Sequence, residues 1–255
     1  MMFLDAQSGG PGDLLAISQP AHAWVSGQLL RHWAAELDEP LLLAAEQHDL
    51  AWLDWELAPG FDFATGRPHL FRDIGAATHA PLWSNAVERA CAAWGSRVAL
   101  LVSRHGTVIY TRFTERHRLS DADACAAKGY VERQAPMQAA WARALQLADH
   151  ALERDTNLIA FVDTLSLALC GALPLPLELD GPGRENAQAR YRLVQQAGET
   201  FGFSLSPWPF RGETVTVGVE ARLVPGGRFA SEAEMRAWSA SAPRTPLRFT
   251  LARAA

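Results

Sequence analysis

Six ionisable side chains fall at positions whose surroundings otherwise predict a buried core. They follow one another as His, His-Asp, His, His and Asp, at His22, His48, Asp49, His79, His105 and Asp163. A bare carboxylate among apolar neighbours is costly unless a cation or strong hydrogen-bond donors compensate it. A bound metal ion is an economical explanation. Imidazole nitrogens and carboxylate oxygens suit Fe, Mn, Zn, Ni or Co, whereas the lack of thiolates disfavours a structural zinc site.

Two predicted helices position the first three of these groups. One begins at Pro20, where proline is tolerated in the first turn, and carries His22 on its apolar face. The second follows Pro40 and carries His48 on its apolar stripe, with Asp49 about 100° further around the axis. We therefore expect both members of the His-Asp doublet to line one groove between helices.

The other three groups lie in more varied surroundings. His79 comes at the end of a segment, 59–81, that is rich in Gly, Pro and Asp and predicts a long loop. Loops of that length inside a compact domain are commonly functional. His105 closes an apolar run, and Gly106 after it suits a helix C-terminus. Asp163 interrupts the strongly apolar helix NLIAFVDTLSLALCG.

This set resembles the HD-domain superfamily of metal-dependent hydrolases. The resemblance depends on His22, the doublet His48-Asp49 and the distant Asp163. The stretches QPAHAWVSGQL, EQHDLAWLDWELAP, LLVSRHG and FVDTLSLALC also resemble an uncharacterised bacterial branch of that superfamily, a domain of unknown function. The resemblance extends from about the N-terminus to Gly171.

The resemblance implies two divalent metal ions, because the two additional histidines are similar to those of the two-metal members. The implied ligands are His22, His48 and Asp163 for one ion and His79 with His105 for the other, with Asp49 as the bridge. Two ions about 3.5–4 Å apart lower the pKa of a shared water and neutralise charge on an attacked phosphoryl group. The implied activity is that of a di-metal phosphohydrolase acting on a small-molecule or nucleotide phosphate ester.

The sequence departs from the superfamily after the doublet. Many HD phosphohydrolases carry a lysine there, whereas this chain continues Leu-Ala-Trp-Leu and then Asp54. Arg104 or Arg72 could replace that lysine in binding substrate. Asp49 and Asp54 are candidate catalytic residues. Asp54 could act as a general base near the ions.

The missing lysine keeps a second enzyme class open. Some two-metal HD proteins are oxygenases that use a mixed-valent di-iron pair, and their ligand order is similar. Spacing alone does not separate these two chemistries. A third hypothesis is a non-catalytic protein that uses the same cluster for metal binding or sensing.

We expect a mainly α fold, an HD-domain-like helical bundle, with a small antiparallel β-sheet from the C-terminal segment. Residues 1–172 would form the metal-binding helical domain. Residues 173–255 would form an α+β appendage packed on it, unless the two are one continuous domain. Period-2 alternation in FGFSLSPWPF, ETVTVGVEARLV and PLRFTLARA predicts the strands of that sheet.

Composition and charge exclude some classes of partner and indicate the cellular compartment. The formal net charge of −5 provides no bulk attraction to nucleic acid or an anionic membrane. Three scattered cysteines fit a reducing compartment, and no stretch predicts a signal peptide or a membrane span. We expect a cytoplasmic protein whose partner is a small, phosphorylated substrate, with neither a nucleic-acid polymer nor a membrane as partner.

Overall fold

The computed structural model describes residues 1–6, 10–112, 120–183 and 188–254. The helices of this part are α1 (Gln19–Arg31), α2 (Glu39–Gln47), α3 (Leu53–Leu57), α4 (Ala76–Trp94), α5 (Ser96–Arg112), α6 (Asp121–Ala144), α7 (Asp149–Leu169) and α8 (Glu232–Ser241). The strands are β1 (Met2–Asp5), β2 (Leu14–Ile17), β3 (Phe61–Asp62), β4 (Arg67–Pro68), β5 (Leu177–Pro182), β6 (Gln188–Gln195), β7 (Gly202–Ser206), β8 (Thr214–Val224) and β9 (Arg244–Arg253).

Seven strands form one large mixed sheet. Their order is β1-β2-β8-β9-β7-β6-β5, while β3 and β4 form a separate two-stranded sheet. The neighbours in the large sheet are antiparallel except β7 and β9, which are parallel. The expected mainly α fold with one small C-terminal sheet is therefore wrong.

The sheet was predicted too small because strands near the N-terminus also belong to it. Leu14–Ile17 is a short apolar strand, and all four of its residues are buried. It pairs with β8, which lies about two hundred residues later in the chain. Such non-local pairing leaves no periodic signal in the sequence. The segments 1–172 and 173–255 consequently both contribute strands to the same sheet.

Helix α1 connects the sheet to the helical layer. It packs on β8 and also against α2 and α7. Apolar side chains from helices and strands form a large shared core, to which Val25 and Leu29 contribute from α1. The helix begins after Ser18, whose hydroxyl accepts a hydrogen bond from the Ala21 amide, and Pro20 occupies its first turn as expected.

Two local predictions differ from the structure. His79 lies in the first turn of α4 rather than in a loop, because that helix already begins at Ala76. Gly106 lies inside α5 and does not end it. A Cβ at Gly106 would overlap the Tyr130 hydroxyl and the Trp83 indole, so this glycine allows α4, α5 and α6 to pack closely.

The described helices include none that is both long and apolar enough to cross a membrane.

We predict that Gly27→Ala destabilises the fold by about 1–3 kcal/mol through overpacking of the α1–α2 contact. A Cβ on Gly27 would overlap the Glu46 side chain, which is held by Arg31 at 2.8 Å. Urea denaturation followed by circular dichroism measures the change.

Gly129→Ala in α6 is the matched control. There the nearest atom to a new Cβ is the flexible end of Arg133, at 3.0 Å. Replacing this helical glycine should be neutral or stabilising by up to about 1 kcal/mol. Equal effects of the two substitutions would contradict the close α1–α2 contact.

Candidate metal centre

Four helices bring five of the six sequence-predicted ligands together. His22 comes from α1, His48 and Asp49 directly follow α2, His105 comes from α5 and Asp163 from α7. The four residues other than Asp163 are buried. The Asp163 side chain is 14% exposed and is the most accessible of the five. The cluster therefore lies in the helical layer and reaches solvent through Asp163.

Hydrogen bonds fix the orientation of His22. Its Nδ1 lies 2.8 Å from the Ser166 hydroxyl oxygen, which itself donates to the main-chain oxygen of Asp163 at 2.9 Å. Since Ser166 uses its proton there, it accepts a hydrogen bond from Nδ1–H of His22. The Nε2 of His22 then faces the Asp49 carboxylate, with 2.6 Å between Nε2 and Oδ2. A contact that short requires a cation, either a proton or a metal ion.

The tautomer of His48 follows from a main-chain contact. Its Nδ1 donates to the Ala45 carbonyl oxygen at 2.8 Å, and a carbonyl can only accept. Its Nε2 points to Oδ1 of Asp163 at 3.3 Å, yet makes no hydrogen bond of acceptable geometry in the described part of the chain. This buried nitrogen is therefore available to a metal ion.

His105 completes the cluster from the side of α5. Neither of its ring nitrogens has a hydrogen-bond partner among the described residues, although both are buried. Nε2 lies 3.9 Å from Oδ2 of Asp163, and the ring packs edge-on against His48 with 4.5 Å between centroids. Buried polar atoms without partners are rare in folded proteins. The two nitrogens of His105 therefore make this residue a candidate metal ligand.

The donor atoms form two overlapping groups. One contains His22, His48 and Asp49, and the other contains His48, His105 and Asp163. Within each group the donor atoms lie within 4.8 Å of one another. The buried cluster could thus hold a metal ion, and its nitrogen and oxygen donors suit Fe, Mn, Zn, Ni or Co.

Electrostatics at the cluster also indicate a cation. Burial lowers the pKa of His48, but the carboxylates of Asp49 and Asp163 outweigh it and raise this pKa to about 9. Burial and the neighbouring charge of His48 lower the pKa of His105 to about 4. Burial raises the pKa of Asp163, but His48 lies so close that the net pKa falls to about 2. Without an ion, a proton on His48 compensates the carboxylates, and a divalent ion would replace it.

His79 lies beside the cluster rather than within its two donor groups. Its Nδ1 lies 2.6 Å from the Tyr110 hydroxyl, and the two rings stack with 5.3 Å between centroids. Burial raises the pKa of Tyr110 well above its usual range, so this hydroxyl keeps its proton at neutral pH. His79 also contacts the cavity described next.

A cavity of about 590 Å³ opens beside the donors. Asp49, His79, His105 and Asp163 contribute to its lining. Much of the remaining wall is apolar and comes from Trp52, Phe71, Trp83, Ile109, Leu167, Leu173, Pro174, Leu177 and Leu179. A small molecule can therefore reach the candidate metal centre.

The three other sequence-predicted site residues lie elsewhere. Asp54 is 52% exposed and pairs with Arg89 at 3.0 Å. The Nε of Arg104 donates to the Thr156 hydroxyl at 2.8 Å. Arg72 is exposed in a short 3₁₀ turn. None of Asp54, Arg104 and Arg72 lines the cavity.

Three residues that contact this site were missed in the sequence. Ser166 holds His22, Tyr110 holds His79, and Arg112 lines the cavity. Arg112 follows His105 by seven residues, which places both on one helical face. That spacing would have identified Arg112 if α5 had been expected to continue through Gly106.

The comparison with protein families identifies a match over residues 8–226, to the family described as "Protein of unknown function (DUF3891)". This match covers most of the chain, and the protein belongs to that family. The expected relation to a domain of unknown function is thereby confirmed. Searches against curated proteins and against solved structures found no match. The relation to the HD-domain superfamily stays a prediction.

We predict that His48→Ala removes bound metal, because His48 belongs to both donor groups. His79→Ala should retain at least one ion per chain, since His79 lies outside both groups. Elemental analysis of the purified variants gives the stoichiometry. Unchanged metal content in His48→Ala, with a native circular dichroism spectrum, would refute this centre.

We also predict that Ser166→Ala lowers metal affinity about 10–100-fold, because it removes the acceptor that orients His22. Competition with a fluorescent chelator measures the affinity. Ser84→Ala is the matched control, since among the described residues the hydroxyl of Ser84 bonds the Ala80 carbonyl within α4 and no residue of the cluster. Equal affinities of the two variants would show that Ser166 does not position a ligand.

Proposed function

We propose that this protein is a metal-dependent hydrolase of the HD type that acts on a phosphate ester of a small molecule. One observation carries the proposal. The Ala45 carbonyl holds the proton of His48 on Nδ1, and Nε2 lies 3.3 Å from the Asp163 carboxylate at the edge of a cavity. Stability alone does not require an imidazole and a carboxylate to face each other beside an opening of this size.

A bound divalent ion would lower the pKa of its water ligand and act as a Lewis acid on the phosphoryl group. The chain's residues provide the rest. Ser166 and the Ala45 carbonyl orient two imidazoles. Trp52 and Trp83, both buried, exclude water from one side of the donors. Asp163 presents the most exposed carboxylate of the cluster to the cavity.

Charge balance supports two ions rather than one. Among the described residues that line the cavity, Arg112 is the only lysine or arginine. It lies two helical turns from His105, roughly 10 Å along the axis. The charge on an attacked phosphoryl group must therefore be neutralised by the ions themselves. We propose that the second ion uses His79, which contacts the same cavity.

A di-iron oxygenase is the second candidate. Two observations favour it, the largely apolar wall and the lack of a lysine or arginine beside the donors in the described lining. Its signature would be oxygen consumption that depends on iron. Such activity without phosphatase activity would replace the hydrolase proposal.

We predict that the protein reconstituted with Mn²⁺ under anaerobic conditions hydrolyses p-nitrophenyl phosphate or bis-p-nitrophenyl phosphate. Asp163→Asn should lower kcat/KM at least about a hundredfold, because it removes a ligand carboxylate. Asp121→Asn, on the exposed start of α6, is the control and should keep the parent activity. Hydrolysis that survives Asp163→Asn would place the active site elsewhere.

A further inference from the structure

Helix α5 presents three side chains of different character to the cavity. His105, Ile109 and Arg112 all line it. Spacings of four and seven residues keep them on one helical face. At 1.5 Å per residue, Ile109 lies about 6 Å and Arg112 roughly 10 Å from His105 along the axis. The face thus runs from a candidate metal ligand through an apolar residue to a cation.

Within the part of the chain that the structure describes, Arg112 forms no ion pair. Among the described residues, its guanidinium has one hydrogen-bond partner, the neutral side-chain oxygen of Asn157 at 2.9 Å. The acidic residues at the same cavity have other partners. Glu178 and Asp180 pair with Arg190 at 2.9 Å and 3.5 Å. A ligand anion at Arg112 would therefore not compete with a carboxylate of the described chain.

Part of the cavity wall is apolar. Ile109 lies between His105 and Arg112 on α5 and lines the cavity. Leu167, Leu173 and Leu179 contribute further apolar lining from α7 and the chain after it. Hydrocarbon or aromatic groups gain from contact with such a wall, whereas a ribose or a sugar leaves its hydroxyls without partners there.

Resting on the proposed hydrolase function, we propose that the substrate carries a carboxylate at the end opposite its phosphate ester. Arg112 would bind this carboxylate, since the planar guanidinium matches it with two parallel hydrogen bonds. The two charged groups would bind at opposite ends of the face of α5 on which His105 and Arg112 lie roughly 10 Å apart along the helix axis. An apolar chain or ring would join them.

The test uses two series of phosphate monoesters on the metal-loaded protein. One series consists of ω-carboxyalkyl phosphates with chains of two to ten carbons, and the other of n-alkyl phosphates of equal length. Calorimetry gives Kd, and phosphate release gives kcat/KM. The carboxylated series should bind at least about tenfold more tightly at one intermediate length, and this advantage should vanish for the shortest chains.

Variants at Arg112 assign the preference to this residue. Arg112→Gln should abolish the advantage of the carboxylated series over the n-alkyl series. Arg112→Lys should retain part of the advantage, because the charge stays while the paired hydrogen bonds are lost. Arg143→Gln, on the exposed end of α6, should behave as the parent. Thermal unfolding confirms that each variant is folded.

The two readouts separate this inference from the hydrolase proposal. Length-dependent binding that requires Arg112, with no phosphate release, would refute the hydrolase and support the inference. Phosphate release with equal Kd values for the two series would support the hydrolase and overturn the inference. A preference that survives Arg112→Gln, or no binding of either series, would also overturn it.

Discussion

The structure around the candidate centre depends on one requirement, the compensation of the charges of Asp49 and Asp163. In the described part of the chain, these carboxylates face the imidazoles of His22 and His48, and each of these contacts needs a cation between the two groups. A divalent ion held by either donor group would compensate the carboxylate of that group, Asp49 in one and Asp163 in the other. The neighbouring main-chain and hydroxyl groups are arranged for this, since they occupy the Nδ1 side of each ring.

The fold brings these groups together through close helix packing. Gly27 lets α1 approach α2, which places His22 beside the His48-Asp49 doublet. Gly106 does the same where α5 meets α4 and α6, one residue after His105. The large sheet packs against this helical layer through β8, which contacts α1 directly. Small residues at these contacts therefore determine the geometry of the donors.

Five of the six residues predicted as metal ligands lie together in the structure, whereas the predicted fold was wrong. Helical periodicity placed His22 and Asp163 on buried faces, because the cost of burying polar groups there is a local signal. The seven-stranded sheet was missed, since the pairing of β2 with β8 depends on contacts far apart in the chain. Asp54 and Arg104 were chosen for nearness in sequence to a donor, whereas Arg112 faces the cavity because helical geometry selects every seventh residue.

Anomalous diffraction from crystals of protein purified without chelators tests the central claim most directly. The account predicts an anomalous peak about 2.0–2.2 Å from Nε2 of His48 and from a carboxylate oxygen of Asp163. Energy scans across the absorption edges would identify the element. Fully occupied side chains of the cluster without any anomalous peak between them, in protein given excess Mn²⁺ or Fe²⁺, would contradict it.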